Sequence, residues 1–114
     1  MTVERRQWAQ TWAFRGSGGS STLRDPDCFA SLVSYQAASG AANQLFLAGP
    51  YSSHRRVNLS IYRSRNGGLS WDPWQIVYPG LSAYSSLTVL GHGPRLAVAF
   101  ERDKKYRHMS FLRV

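Results

Sequence analysis

Short apolar or alternating segments recur from position 29 to the end of the chain, each closed by turn-forming residues. This period-two pattern predicts consecutive antiparallel strands. Seven are expected, over 29–36, 44–48, 57–63, 74–78, 84–90, 95–100 and 108–113. The breaks suit tight turns: Ser39-Gly40 with Asn43, Gly49-Pro50, Asn66-Gly67-Gly68, Pro79-Gly80, Gly91 with Gly93-Pro94, and a charged turn over 102–105. Ahead of them, residues 1–24 read as an irregular lead-in, polar apart from Trp8, Trp12 and Phe14 and carrying the run Gly16-Ser17-Gly18-Gly19-Ser20-Ser21. No segment keeps a helical period. Four and then three meandering strands fit a small sandwich, a barrel, or two adjacent propeller blades, and periodicity does not choose among them.

Composition narrows the partners. With 43% hydrophobic residues in 114, the chain can bury one modest core and is expected to be a single domain or part of one. Fourteen Lys and Arg against six Asp and Glu leave a formal charge of +8, which draws anionic partners to the surface. Twelve of the fourteen are Arg, whose planar fork grips a carboxylate or phosphate through two parallel hydrogen bonds. These arginines are scattered among the strands without a recognition motif, so nucleic-acid binding is not expected. Cys28 is the sole cysteine, which excludes an intrachain disulfide and a multi-thiolate metal site. His54, His92 and His108 lack metal-ligand spacing, and there is no phosphate loop or nucleophile elbow, so neither a metal nor another cofactor is expected. No run has signal-peptide character or approaches the about eighteen apolar residues of a membrane span, so the chain as given is expected to be soluble and untargeted.

The motifs carry more. Ser64-Arg65-Asn66-Gly67-Gly68-Leu69-Ser70-Trp71 joins the third and fourth expected strands. Its residue types are those of a hairpin tip: Gly for positive φ, Asn and Ser to bond nearby backbone, Trp71 as an apolar plug. The pattern resembles the Asp-box of sialidase propellers, Ser-x-Asp-x-Gly-x-Thr-Trp, with Asn66 in place of Asp and Ser70 in place of Thr. Arg56-Val57-Asn58-Leu59 precedes it, and Tyr78-Pro79-Gly80-Leu81-Ser82-Ala83-Tyr84-Ser85-Ser86-Leu87 follows. This order is similar to the carboxy-terminal region of lysosomal-type and bacterial exo-α-sialidases (neuraminidases). Upstream, Asp25-Pro26-Asp27-Cys28-Phe29-Ala30-Ser31 looks like the Asp-Pro-x-Cys-x-x-Ser opening of the preceding inner strand; downstream, Phe100-Glu101-Arg102 matches the aromatic-Glu ending.

The resemblance spans residues 25–114 and implies an all-β fold: a partial sialidase-type β-propeller of about two of six four-stranded antiparallel blades, at about 40 to 45 residues or more per blade. It also implies roles. Tyr84 corresponds to the catalytic nucleophile, Arg56 to the third arginine of the triad that clamps the substrate carboxylate, and Glu101 to a carboxylate that steadies the first arginine. Arg55 and His54 would line the substrate site beside Arg56.

Blade topology groups these residues independently of the resemblance. Strand one of an up-and-down blade starts on the face where strand two ends and strand three begins. Tyr84, Glu101, Arg56 and Asp27 therefore share one face, and the Asn66-Gly67-Gly68 turn lies on the other. The chemistry needs such residue types: sialic acid carries a carboxylate on its anomeric carbon, which would repel a carboxylate nucleophile but not a neutral phenol, and sialidases are the Tyr exception among retaining glycosidases.

In that family the Glu that polarises the phenol, the acid Asp and the first two arginines come from upstream blades. Glu4 and Asp25 lack the surrounding motifs and are not candidates for the acidic roles. The expectation is a fragment of a hydrolase that releases terminal sialic acid from sialylated glycoconjugates, incomplete and inactive alone, and prone to self-association through exposed blade edges. The alternative is a non-catalytic β-propeller-like module that binds anionic glycans.

Overall fold

A computed structural model of the chain describes residues 23–36, 43–91 and 95–114. The lead-in up to residue 22, the expected Ser39-Gly40 and Gly93-Pro94 breaks, and His92 lie outside the described residues. Six strands follow one another, each antiparallel to the next: β1 (Ser31–Tyr35), β2 (Gln44–Pro50), β3 (Val57–Ser64), β4 (Asp72–Leu90), β5 (Arg95–Arg102) and β6 (His108–Arg113). A short 3-10 turn, Lys104–Tyr106, links β5 to β6.

The expected strand count needs correction. Segments 74–78 and 84–90 are one 19-residue strand, β4. Pro79-Gly80 looked like a break but interrupts pairing, not extension, because proline's fixed φ is compatible with β backbone. Opposite them β3 contributes only Asn58, between the Leu59↔Tyr78 and Val57↔Leu81 pairs, which makes a bulge. Asn58 takes φ 59 there, a left-handed conformation that Asn tolerates better than most residues. At Gly80 a Cβ would sit 2.9 Å from Cε2 of the Tyr78 ring, so a larger residue there would displace that ring.

Just past this bulge β4 changes partner. Its ladder with β3 reaches Leu81, and its ladder with β5 starts at Ser82. β4 is thus the outer strand of one blade and the inner strand of the next. The all-β architecture is a partial propeller: β1, β2, β3 and the first half of β4 form one blade, and the second half of β4, β5 and β6 form three strands of its neighbour.

The blades share a core. Phe46, Ala48, Leu59 and Ile61 from the first pack with Leu87, Leu96, Val98 and Phe100 from the second, all buried. Alternation along β5 explains its part, with Leu96, Val98 and Phe100 pointing inward. Two hydrogen bonds tie the second half of β4 to the first blade: Leu87 N–H donates to Ser31 Oγ on β1 at 2.9 Å, and Ser85 Oγ donates to the Ala48 carbonyl on β2 at 3.3 Å. Among the described residues β6 pairs only with β5, and its Met109 and Phe111 are 68% and 65% exposed.

Candidate functional site

Tyr84 owes its position to a second bulge. Ser82 pairs with Arg102 and Ser85 with Phe100, so Ala83 and Tyr84 together oppose Glu101 alone. Such a bulge re-aims a side chain and leaves a backbone donor without its ladder partner. Glu101 supplies the missing acceptor: Tyr84 N–H donates to Glu101 Oε2 at 3.2 Å. The Tyr84 ring is half exposed, at 50%. It opens onto a shallow groove lined by Tyr84, Ser85, Ser86, Ala99, Glu101 and Met109.

Arg56 reaches the same end of the sheet from the β2–β3 loop. Its guanidinium carbon lies 5.6 Å from the centroid of the Tyr84 ring, within cation–π range. One guanidinium nitrogen, Nη2, donates to the Asp27 carbonyl at 2.7 Å, which aims the group. The backbone closes the cluster, with Ser82 N–H donating to the Arg56 carbonyl at 2.9 Å. Tyr84, Arg56, Glu101 and Asp27 therefore converge at one end of the sheet, as blade topology anticipates.

His54 and Arg55 fare differently. Their backbone N–H groups both donate to Ser52 Oγ, at 3.3 and 3.1 Å, and their side chains are exposed. His54 lines a neighbouring groove with Arg24, Tyr51, Ser52, Ser53 and Asn58. Tyr62, behind that loop, is buried, and burial pushes its phenol up to about 12 against the lowering effect of Arg24, so it stays neutral.

Two further residues join this cluster without a role that sequence alone assigns them. Phe29 meets its ring edge-on, centroids 6.0 Å apart. Cys28 lies within the electrostatic reach of Arg56 and Glu101; burial raises its thiol pKa while Arg56 pulls it down. The Asp25 carboxylate fixes this segment by accepting the Cys28 N–H at 2.9 Å. The Asp-Pro-x-Cys order was the available signal, but sequence gave no reason to expect an exposed Phe29 against Tyr84.

The opposite end of the blade is self-contained. Ser64 Oγ accepts the Gly68 N–H at 2.8 Å, and Asn66 Oδ1 accepts the Ser70 N–H at 2.9 Å. Asn66 Nδ2 donates to Ser70 Oγ at 2.6 Å. Ser64, Asn66 and Ser70 bond one another or the turn backbone, Arg65 pairs with Asp72 at the start of β4, and Gly67 and Gly68 take φ 72 and 89. The segment is scaffold.

Between the two blades, Tyr78 donates its hydroxyl to Asp103, whose carboxylate also pairs with Arg102 and lies 3.4 Å from His108 Nδ1. The Tyr78 hydrogen bond, helped by Arg102 and His108, lowers the Asp103 pKa; the same bond raises that of Tyr78. A depressed folded-state carboxyl stabilises the fold above the unfolded value of about 3.9 and loses that contribution as pH falls through the folded value. A raised phenol stabilises below about 10 and loses it as pH rises through the folded value. Tyr78→Phe is therefore expected to lower the melting temperature at neutral pH and to flatten both the acid and the alkaline arms of its pH profile. Parallel profiles for parent and variant would remove this pair from the account.

No protein-family model matches the chain. Among solved structures it is similar to one described as Hadza microbial sialidase Hz136, at 27% sequence identity and a TM-score of 0.69. The match covers 81% of this chain and 18% of the sialidase, so the matched part is less than a fifth of that protein's length. With the strand order above, this likeness makes the fold a partial sialidase-type β-propeller.

Proposed function

We propose that the chain is a carboxy-terminal part of an exo-α-sialidase whose complete form releases terminal sialic acid with retention of configuration. The observation that carries this reading is the convergence of a half-exposed Tyr84, the Arg56 guanidinium 5.6 Å from its ring, and Glu101 bonded to its backbone. In the proposed reaction Arg56 holds the sugar carboxylate while the Tyr84 hydroxyl gives its proton to a base from an upstream blade and attacks the anomeric carbon; the glycosidic bond breaks, and the aglycone oxygen leaves with a proton from an upstream acid. Glu101 stabilises the bulge that presents Tyr84, and it is open to an arginine from an upstream blade. His54 and Arg55 would contact more distal parts of the glycan from the adjoining loop. Hydrolysis of the tyrosyl-linked sugar would use a base and an acid from the upstream blades.

A second reading, a non-catalytic module that binds anionic glycans, is favoured by the formal charge of +8 and by the exposed Arg55 next to Arg56. Both readings place a sugar carboxylate on Arg56, and titration tests that shared step. The 114-residue chain is expected to bind sialyllactose in preference to lactose, and Arg56→Ala to weaken that binding roughly tenfold, the loss due to one charge-assisted hydrogen-bonded pair. No preference for sialyllactose in the parent would sink both readings. Unchanged affinity in Arg56→Ala would remove the clamp. Only the first reading expects hydrolysis once upstream blades are supplied.

A further inference from the structure

We propose that the turn between β5 and β6 is an anion subsite, receiving a second negatively charged group on the same glycan whose terminal sialic acid occupies the Tyr84 groove. The inference rests on reading that groove as the sugar site, and it deepens that reading: the substrate class becomes multiply charged glycans, oligosialylated or sulfated.

Lys104, Lys105, Arg107 and His108 line one open groove. Among the described residues no acid pairs with Lys104, Lys105 or Arg107. The adjacent acid, Asp103, is already engaged by Tyr78, Arg102 and His108. Several like charges are thus held together with nothing opposite them, an arrangement that a bound anion relieves.

The backbone holds them there at a cost. Asp103, Lys105 and Tyr106 adopt φ of 69, 59 and 51, left-handed values at three residues none of which is glycine. Such conformations persist only where surrounding contacts impose them, and they gather at functional sites. Here Asp103 N–H donates to the Leu81 carbonyl and Tyr106 N–H to the Asp103 carbonyl, both at 2.8 Å. The first of these bonds anchors the turn to β4 three residues before Tyr84.

Both grooves lie at the end of the sheet where β5 turns into β6. Glu101 pairs with Met109, and both line the Tyr84 groove; the next pair, Arg102 with His108, faces the other side of the sheet, and His108 lines the cationic groove around the end of the hairpin. The Cα atoms of Glu101 and Lys104, three residues apart, are at most about 10 Å from one another, so a glycan passing over the end of the hairpin would meet both grooves. A group attached to the terminal sugar or its neighbour is the natural occupant at that separation. Its chemistry is a carboxylate or a sulfate ester, either of which an Arg fork and Lys ammonium groups accept.

The test is titration of the isotope-labelled 114-residue chain, following backbone amides, with a monosialyl lactoside, a disialyl lactoside, a sulfated monosialyl lactoside and inorganic sulfate. All three sialosides should shift Tyr84 and Glu101, but only those with a second charge should also shift residues 103–108. They should bind about 5- to 10-fold tighter at low salt than the monosialyl probe, as expected for two or three exposed pairs acting together. Comparing the disialyl and sulfated arms shows whether the preferred group is carboxylate or sulfate. The combined variant Lys104→Ala, Lys105→Ala and Arg107→Ala should lose that excess and keep monosialyl binding; Arg107→Ala alone should lose part of it. Doubly charged probes that shift only Tyr84 and Glu101, with monosialyl affinity, would overturn the inference and leave the sugar site standing. Shifts at 103–108 that inorganic sulfate reproduces, with none at Tyr84, would overturn both.

Discussion

Trp71→Ala is expected to cost about 3 to 5 kcal/mol of folding stability, the range for removing a buried Trp, without altering ligand contacts at the Tyr84 end. Trp71 is 8% exposed at the tip of the β3–β4 hairpin, and its indole Nε1 donates to the Gly68 carbonyl at 3.1 Å. Gly68 takes φ 89 beside the ring, and a Cβ there would touch both Leu45 and the indole. A domain holds only about 5 to 15 kcal/mol in total, so the loss is a large share of the whole. A urea melt resolves it. A variant within about 0.5 kcal/mol of the parent would show that the ring plugs nothing.

The second large effect concerns chemistry. In an enzyme completed by upstream blades, Tyr84→Phe is expected to lower kcat/KM by about 10² to 10⁴-fold, the range that a single positioned catalytic group contributes. The substitution removes one oxygen from a half-exposed ring and leaves the bulge intact, because the bond to Glu101 uses the Tyr84 backbone. Stability should therefore stay within about 0.5 kcal/mol of the parent, which separates lost chemistry from lost folding. Equal rates for the two proteins would eliminate Tyr84 as nucleophile.

Much of this architecture is legible in the sequence because short apolar or alternating segments bounded by turn residues mark β1, β2, β3, β5 and β6, even though burial alternates cleanly in β1 and not in β3, where Leu59 to Tyr62 are all buried. β4 is the instructive failure. Pro79-Gly80 carries the composition of a turn, yet the chain stays extended there and exchanges one partner strand for another, an event set by pairing and not by local propensity. The shared face of Tyr84, Arg56 and Glu101 follows from strand order alone. The bulge that joins Tyr84 to Glu101 does not, since register is decided between strands and no residue type at Ala83 or Tyr84 announces it. The β5–β6 turn was visible as a charged segment, but Asp103, Lys105 and Tyr106 give no glycine signal for their left-handed backbone.

The central claim is that this chain holds one part of a sialidase site and needs the rest of the ring to work. A neutral phenol is a poor nucleophile without a polarising base. Missing acid-base partners remove about 10² to 10⁴-fold more. The direct measurement is release of the fluorophore from a fluorogenic sialoside by the 114-residue chain alone and by the same chain joined to the upstream blades of a related sialidase, each with Tyr84 and with Tyr84→Phe. The account predicts turnover only from the joined protein carrying Tyr84. Robust turnover by the chain alone, or from the joined protein regardless of Tyr84, would contradict it.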